Sequence, residues 1–280
     1  QETVYGALME ESRIELKNAV ENAGTFVETQ VYYKALNQLK KNKVIIISGE
    51  PGMGKTTLAY QLSLYYRFKK EYTTFVWANE VEDLYRAHQM SGKKVVIYDD
   101  FWGGNAWKRI EAGREEGRLQ RFIDLVQKSD DFILIMTTRE YVLEQGLKQN
   151  EDMRRNMEKN KLECRLEDYS NVEKVKIYLE HLKKAMLTPN QLNELFHMHR
   201  SIVSSPNYNP RVIEAFVKDI VTPDMKPEEC SDQFLNYLRN PKDFWKKIFG
   251  DLSPEARALY VALYLMPVPV ELDYVKACYT

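Results

Sequence analysis

The sequence has few cysteines and almost no net charge. Its three cysteines, Cys164, Cys230 and Cys278, lie far apart and form no CxxC pair, which argues against a disulfide framework and against a zinc site. Lysine plus arginine (40) and aspartate plus glutamate (41) nearly cancel, leaving a formal charge of -1. No bulk basic field therefore recruits nucleic acid or an anionic membrane. A reducing cytoplasm fits this composition best.

Long apolar runs and targeting signals are also lacking. The longest apolar run, residues 259–270, is interrupted by Pro267 and Pro269, and a membrane helix needs roughly 18 apolar residues. The N-terminus has no basic-then-apolar signal pattern. Because the chain begins with Gln1 and stops at Thr280 inside an amphipathic pattern, we expect a fragment of a longer protein; a removed tag or a short natural protein are the alternatives.

What the sequence does contain is an alternation of short apolar runs with helical patterns between residues 44 and 166. Such alternation is typical of a parallel sheet covered by helices. We therefore predict an α/β fold with a five-stranded parallel sheet. The predicted strands are Val44–Ser48, Thr74–Ala78, Val95–Tyr98, Phe132–Thr137 and Leu162–Leu166.

From about residue 168 the strand-like runs stop and helix starts follow one another, which predicts a second, all-α region. Ser170 and Glu173 have the spacing of a capping box. At each later helix start, a capping residue comes directly before a proline, which fits the first helical turn. These starts are Thr188-Pro189, Asn209-Pro210, Asn240-Pro241 and Ser253-Pro254.

The clearest motif follows the first predicted strand directly. Residues 49–56 read Gly-Glu-Pro-Gly-Met-Gly-Lys-Thr, which fits GxxxxGK[ST] between a strand and a helix. Glycines let backbone N–H groups wrap a phosphate, and the helix start directs its positive dipole end at the anion. The sequence therefore predicts a P-loop NTPase core that binds ATP or ADP with Mg²⁺.

Each polar side chain of the P-loop has an expected role. Lys55 is expected to reach the β- and γ-phosphates, Thr56 to offer its hydroxyl to Mg²⁺, and Thr57 to help at the α-phosphate. The predicted nucleotide-binding residues of the motif are Gly49, Glu50, Pro51, Gly52, Met53, Gly54, Lys55, Thr56 and Thr57.

Two aspartates, Asp99 and Asp100, end the apolar run at residues 95–98. A Mg²⁺ that bridges two phosphates needs a carboxylate nearby. We expect Asp99 to hold the metal and Asp100 to orient or deprotonate the attacking water. Taken alone, the segment also fits two aspartates at an ordinary turn, but the upstream P-loop favours the metal site.

A third element is the apolar run at residues 132–137, which leads into Arg139. Ligands in open α/β sheets lie at the carboxyl ends of strands, so Arg139 is predicted to contact the γ-phosphate and report its presence. An ordinary surface arginine is the alternative. The predicted catalytic residues are Lys55, Asp100 and Arg139, and the predicted metal ligands are Thr56 and Asp99.

With these elements in hand, the chain resembles the STAND class of signal-transduction P-loop ATPases, which are related to AAA+ and NACHT proteins. Within that class it is similar to the novel bacterial type that is often joined to nuclease or other effector domains in antiviral defence proteins. The resemblance implies a nucleotide-binding domain, a helical lid and a winged-helix domain. Besides the P-loop, it is carried by residues 26–29, 98–103, 137–143, 179–182, 209–214 and 252–255.

The resemblance also implies roles for residues outside the three motifs. Phe26 and Val27 would pack on the adenine, and Pro210 matches a lid proline that touches the base. Arg211 would approach the phosphates or pair with a neighbouring acid. Asp100 stands where many relatives carry Glu, so slow hydrolysis is expected. The implied domains are an N-terminal adenine-side segment (1–40), a nucleotide-binding domain (41–167), a lid (168–249) and a truncated winged-helix start (250–280).

The leading hypothesis is an ATP-driven switch: ATP closes the lid, the protein self-associates, and an effector elsewhere in the full chain acts on a signal from its sensor. No membrane or nucleic-acid partner is predicted from this fragment. The alternative is a ring-forming AAA+-like remodelling ATPase, whose arginine reaches a neighbour's γ-phosphate; Arg114, Arg118 and Arg121 are candidates. A small-molecule kinase would need an acceptor pocket, of which the sequence shows no sign.

Overall fold

The structure is a computed structural model that describes residues 2–102, 114–166 and 169–265. The chain divides into two compact units, residues 1–173 and 174–280. The first unit confirms the predicted α/β fold, since it contains one five-stranded parallel sheet of order β2-β3-β4-β1-β5. The strands are β1 Val44–Gly49, β2 Thr74–Ala78, β3 Lys94–Tyr98, β4 Phe132–Arg139 and β5 Glu163–Leu166.

Helices cover both faces of this sheet, and a 3-10 turn, Ala23–Thr25, lies between the first two. They are α1 Glu2–Asn22, α2 Gln30–Asn42, α3 Lys55–Lys69, α4 Val81–Gln89, α5 Arg114–Gln127, α6 Glu140–Gln149 and α7 Glu151–Asn160. The next helix, α8 Asn171–Lys184, begins at the end of the first unit and continues into the second.

The central strand β1 is buried along its whole length, as expected for a parallel sheet with both faces covered. Because successive side chains point to opposite faces, β1 contributes to two cores. Val44 and Ile46 join a cluster with α4, α5 and α6. Ile45 and Ile47 join a cluster with α2 and α3, the helix that follows the P-loop.

The strand register brings the functional segments to one edge. Gly49 at the end of β1 pairs with Arg139 at the end of β4, and Tyr98 at the end of β3 pairs with Met136 of β4. Asp99, the residue after Tyr98, therefore comes next to the carboxyl end of β4. This is the edge where open α/β sheets bind ligands.

The N-terminal helix α1 lies along the edge strand β2. Ser12, which is buried, accepts a hydrogen bond from the Trp77 backbone N–H at 2.9 Å and donates to the Leu8 carbonyl at 2.6 Å. The helix thereby satisfies a backbone group that an uncovered edge would leave unpaired.

The second unit is helical throughout its described part. After α8 it contains α9 Pro189–His197, α10 His199–Val203, α11 Pro210–Ala215, a π-helical turn Phe216–Ile220, α12 Pro227–Arg239, α13 Pro241–Asp251 and α14 Pro254–Leu265. A helix begins at each of the four predicted prolines, and Thr188, Asn209 and Ser253 cap theirs through side-chain hydrogen bonds, whereas Asn240 makes no capping hydrogen bond. Phe216 and Phe234 stack in its core with ring centroids 4.3 Å apart.

The winged-helix start stays a prediction, because α14 is its described part and residues 266–280 lie outside the described residues. Within the described chain, none of the helices has the length and apolar character that would let it cross a bilayer.

Candidate functional site

The P-loop connects β1 to α3 and has the backbone conformation that its glycines permit. Gly49, Gly52 and Gly54 have φ angles of 154°, 82° and 91°, a region that side chains disfavour. The Lys55 ammonium donates to the carbonyls of Gly49 and Glu50 at 3.0 and 2.9 Å. The cation therefore lies over the loop at the N-terminus of α3, where backbone N–H groups and the helix dipole favour an anion.

The Asp99 carboxylate joins three segments. Its Oδ1 accepts hydrogen bonds from the Thr56 hydroxyl at 3.0 Å and from the Thr137 hydroxyl at 2.6 Å. The Thr137 hydroxyl in turn accepts from the backbone N–H of Asp100 at 3.0 Å. The P-loop helix, the end of β3 and the end of β4 thus meet at one carboxylate.

The environment of Asp99 favours a positive partner. Burial raises the pKa of this carboxyl, although the hydrogen bonds from Thr137 and Thr56 act in the opposite direction. Burial prevails, so the charged carboxylate is poorly solvated and a cation would stabilise it. The oxygens of Asp99 and the hydroxyl of Thr56 are hard donors of the kind that Mg²⁺ prefers, and these residues therefore fit the metal.

Asp100 and Arg139 form an exposed ion pair beside this carboxylate. Arg139 Nη2 lies 3.6 Å from Asp100 Oδ2, and the two side chains are 46% and 44% exposed. Arg139 Nη1 also donates to the Tyr141 hydroxyl at 3.2 Å. The hydrogen bond to Tyr141 and the charge of Asp100 raise the pKa of Arg139, so the guanidinium stays charged. A pair as exposed as this is weak and can exchange partners.

Aromatic packing anchors the turn that carries Asp100. Phe101 is buried and its backbone N–H donates to the Thr137 carbonyl at 2.9 Å. Trp102 is buried at a φ of 65°, which is uncommon for a large side chain. Its ring fills the space beside Gly146 of α6, where an added Cβ would lie 2.3 Å from Trp102 Cζ3. Gly146 therefore makes room for the ring that holds the turn.

Phe26 and Val27 are half-buried just before α2. The Phe26 ring packs edge-on against Tyr32 at a centroid distance of 5.3 Å, and the Thr29 hydroxyl caps α2 by accepting from the Tyr32 backbone N–H at 3.3 Å. Phe26 packs against the core cluster that includes Met53 of the P-loop. Phe26 thus lies on the face of the sheet that carries the P-loop helix.

Comparison with known proteins identifies the family. The sequence profile of "Novel STAND NTPase 3" matches residues 26–184, more than half of the chain. The chain belongs to this family. The matched region contains every element of the site described above. A search of curated proteins finds no match.

One of the solved structures that align with this STAND NTPase shares its fold at a TM-score above 0.5. Domain III of the Thermotoga maritima replication initiation protein DnaA aligns with a TM-score of 0.52 at 17% identity, over 78% of this chain and 96% of that domain. C. elegans PCH-2 has a TM-score of 0.46 at 15% identity, over 76% and 68% of the two chains. The Aeropyrum pernix ORC2 protein, solved in ADPNP–ADP complexes, has a TM-score of 0.49 at 11% identity, over 89% and 76%.

Two further predicted residues of the STAND NTPase belong to its helical unit. Asn209 caps α11 by accepting from the Arg211 backbone N–H at 3.0 Å. Pro210 is half-buried in the first turn of that helix, and Arg211 is exposed. Their predicted contacts with the base and the phosphates stay predictions.

The candidate arginines of the ring alternative differ in their surroundings. Arg118 Nη2 lies 2.6 Å from Glu82 Oε2, and its guanidinium lies over the Tyr85 ring at 5.1 Å. Arg121 is exposed on α5. The side chain of Arg114 lies outside the described residues. Arg118 is thus engaged within its own subunit.

Sequence reasoning missed two residues that the structure places in the site. Thr137 hydrogen-bonds the Asp99 carboxylate, and Tyr169 donates to the Met53 carbonyl at 2.6 Å. The position of Thr137, two residues before Arg139 in a strand already assigned to the site, was a usable signal. For Tyr169 the signal was weaker: a polar aromatic residue shortly after the fifth strand, at the same sheet edge.

Proposed function

We propose that this chain is the ATP- and Mg²⁺-binding switch module of a multidomain STAND protein, which hydrolyses ATP slowly and controls an effector through self-association. Bacterial antiviral defence in the cytoplasm is the proposed setting. The observation that carries the proposal is the Asp99 carboxylate, which receives hydrogen bonds from Thr56 of the P-loop and Thr137 of β4. This arrangement couples the phosphate site to the strand that ends in Arg139.

Thr56 and Asp99 would hold the metal. When bound, Mg²⁺ would neutralise charge on the β- and γ-phosphates and so assist their separation. When a nucleotide binds, Lys55 would exchange the carbonyls of Gly49 and Glu50 for phosphate oxygens, because a charge-assisted contact with an anion is the stronger one.

Asp100 and Arg139 supply the proposed sensing step. A γ-phosphate competes with Asp100 for Arg139, because both are anions within reach of one exposed guanidinium. Release of Asp100 from Arg139 frees its carboxylate to orient the attacking water or accept its proton. ATP and ADP would then leave the pair in different states, which is the differential contact that a nucleotide switch requires.

The helical unit would transmit this difference. In the proposed switch, Pro210 contacts the base and Arg211 the phosphates when ATP is bound, and the closed form self-associates. Closure is driven only to the extent that ATP binds the closed form more tightly than the open one.

The test uses the purified chain with ATP, ADP and GTP, each with and without Mg²⁺. Calorimetry measures binding, single-turnover assays measure hydrolysis to inorganic phosphate, and sedimentation measures self-association. The proposal expects Mg²⁺-dependent ATP binding, slow release of phosphate to water, and a larger species with ATP than with ADP. If the protein had the same sedimentation size and the same protease sensitivity with ATP as with ADP, the proposed switch would be rejected. The proposed NTPase activity would still stand.

The same assays distinguish the proposed switch from the ring-forming alternative. Fast turnover that rises steeply with protein concentration, and that one substitution among Arg114, Arg118 and Arg121 abolishes, would favour a remodelling ring.

A further inference from the structure

Leu166, the last residue of β5, and Tyr169 lie against the two ends of the P-loop. A Cβ added to Gly49 would lie 3.0 Å from the Leu166 carbonyl oxygen, and one added to Gly54 would lie 3.4 Å from the Tyr169 hydroxyl. The Tyr169 hydroxyl also donates to the Met53 carbonyl at 2.6 Å. Gly49 and Gly54 therefore make room for Leu166 and Tyr169 respectively.

The hydrogen bond from Tyr169 has a consequence for the phosphate site. The Met53 carbonyl and the Gly54 N–H belong to the same peptide group, and in a planar trans peptide they point in opposite directions. With the carbonyl held toward Tyr169, the Gly54 N–H is directed away from Tyr169. Backbone N–H groups that point inward are what a P-loop offers to a phosphate.

Hydrogen bonds also hold the chain directly beside Tyr169. The next residue, Ser170, donates from its backbone N–H and its hydroxyl to Glu173 Oε2 at 2.8 and 2.7 Å. The other oxygen of Glu173 accepts from the backbone N–H of Gln30 at 2.7 Å, at the start of α2. Glu173 therefore links Ser170, the residue beside Tyr169, to the start of α2. Burial also raises the pKa of Tyr169, so the hydroxyl remains a proton donor.

We infer that Tyr169 is a positioning residue of the nucleotide site, which fixes the Met53–Gly54 peptide so that its N–H is preset for phosphate. The inference rests on the proposed function, because it assigns Tyr169 a part in nucleotide binding. Tyr169 acts through the loop and takes no part in hydrolysis. Its contribution is therefore the same for ATP and ADP, since both place phosphates in the P-loop.

The test compares Tyr169→Phe, which removes only the hydroxyl, with the matched control Tyr178→Phe. Tyr178 is fully buried in the helical core and its hydroxyl donates to the Leu195 carbonyl at 2.7 Å. Calorimetry with ADP and ATP measures affinity. Hydrogen exchange of the peptide covering residues 49–58, in the nucleotide-free protein, measures how firmly the loop is held.

The expected result is that Tyr169→Phe weakens ADP and ATP equally, by about two- to tenfold, as for one lost hydrogen bond. P-loop amides should also exchange faster than in the wild type, while Tyr178→Phe changes neither quantity. If Tyr169→Phe folds poorly, Glu173→Gln gives a second test with the same direction of change.

Unchanged affinity together with unchanged P-loop exchange in Tyr169→Phe would overturn the inference. Equal effects of both Tyr→Phe variants on exchange would reduce Tyr169 to a general stabilising residue. If the wild type bound no nucleotide, the proposed function would fail, whereas the exchange measurement would still decide whether Tyr169 holds the loop.

Discussion

The two sides of the P-loop are built in different ways. On the metal side, which we define as Thr56, Asp99, Asp100, Thr137 and Arg139, polar side chains meet at one carboxylate. The other side is named the base side after the proposed adenine contact and is defined as Phe26, Val27, Met53 and Tyr169; here Phe26 packs on Tyr32 and the Tyr169 hydroxyl bonds to the Met53 carbonyl of the loop.

This difference explains what each side can contribute. Metal and phosphate chemistry requires particular charged and hydroxyl groups, so changes on the metal side are expected to affect hydrolysis most. The base side presents apolar surface and backbone geometry, so changes there are expected to affect the affinity for every nucleotide alike. The following substitutions test this division, in order of decreasing effect.

Asp100→Asn should separate the two sides most clearly. Loss of the proposed base is expected to slow hydrolysis roughly 10²–10⁴-fold, while ADP affinity stays close to that of the wild type and ATP affinity is equal or slightly higher, because Asn no longer competes with the γ-phosphate for Arg139. Single-turnover hydrolysis and calorimetry measure the two quantities. Asp232→Asn on the exposed surface of α12 is the matched control. A loss of affinity as large as the loss of rate would contradict the division.

Asp99→Asn should lower function and raise stability. Mg²⁺-dependent hydrolysis is expected to fall by about 10²-fold, as for the loss of one preorganised electrostatic contact. Because burial raises the Asp99 pKa, the folded protein keeps its proton at a pH where the unfolded chain has lost it. The charged carboxylate therefore costs stability at neutral pH, and Asn removes that cost.

The melting temperature of the nucleotide-free protein is the check. Asp99→Asn should melt above the wild type at pH 7, and the difference should shrink as the pH falls toward the ordinary aspartate value of 3.8. A variant that melts below the wild type at neutral pH would show that the hydrogen bonds to Thr56 and Thr137 outweigh the burial of the charge.

Gly146→Ala tests whether Trp102 holds the turn of the metal side. A helix interior ordinarily gains up to about 1 kcal/mol from Gly→Ala, but here the added methyl meets the Trp102 ring. We expect a loss of about 1–3 kcal/mol and slower hydrolysis. Gly117→Ala in α5, where nothing lies within 4 Å of the added atom, should be neutral or stabilising. Chemical denaturation measures both, and equal effects would rule out the contact.

Phe26→Leu tests the base side with the smallest expected change. Loss of the aromatic face is expected to weaken ATP and ADP by about two- to tenfold, as for one aromatic contact of about 0.5–1.5 kcal/mol. The rate of hydrolysis from the bound state should stay the same. Phe68→Leu, an exposed position at the end of α3, should change neither. A loss of affinity for ATP alone would instead assign Phe26 to the metal side.

The sequence was sufficient to predict the sheet and the motif residues. Continuous apolar runs such as Val44–Ser48 are unambiguous where helices cover both faces, and phosphate chemistry restricts the residue types at Lys55 and Asp99. The proline-led helix starts of the second unit were equally clear, because proline fits only the first turn.

Contacts between residues that are distant in the chain could not be predicted from the sequence. That Thr137 meets Asp99 follows from the pairing of β3 with β4, which local patterns do not specify. The same holds for the hydrogen bond from the edge strand β2 to Ser12 of α1. It also holds for the contact of Trp102 with Gly146, because a glycine has no side chain that would suggest a contact. Tyr169 reaches the P-loop through tertiary packing alone.

The most direct test of the central claim is Mg²⁺-dependent ATP hydrolysis by the wild type and by Lys55→Ala under identical conditions, with melting curves to show that both are folded. The account predicts slow but measurable phosphate release by the wild type and none above background in the variant, because the Lys55 ammonium lies over the loop backbone. Equal rates in the two proteins, or no hydrolysis in either, would contradict it.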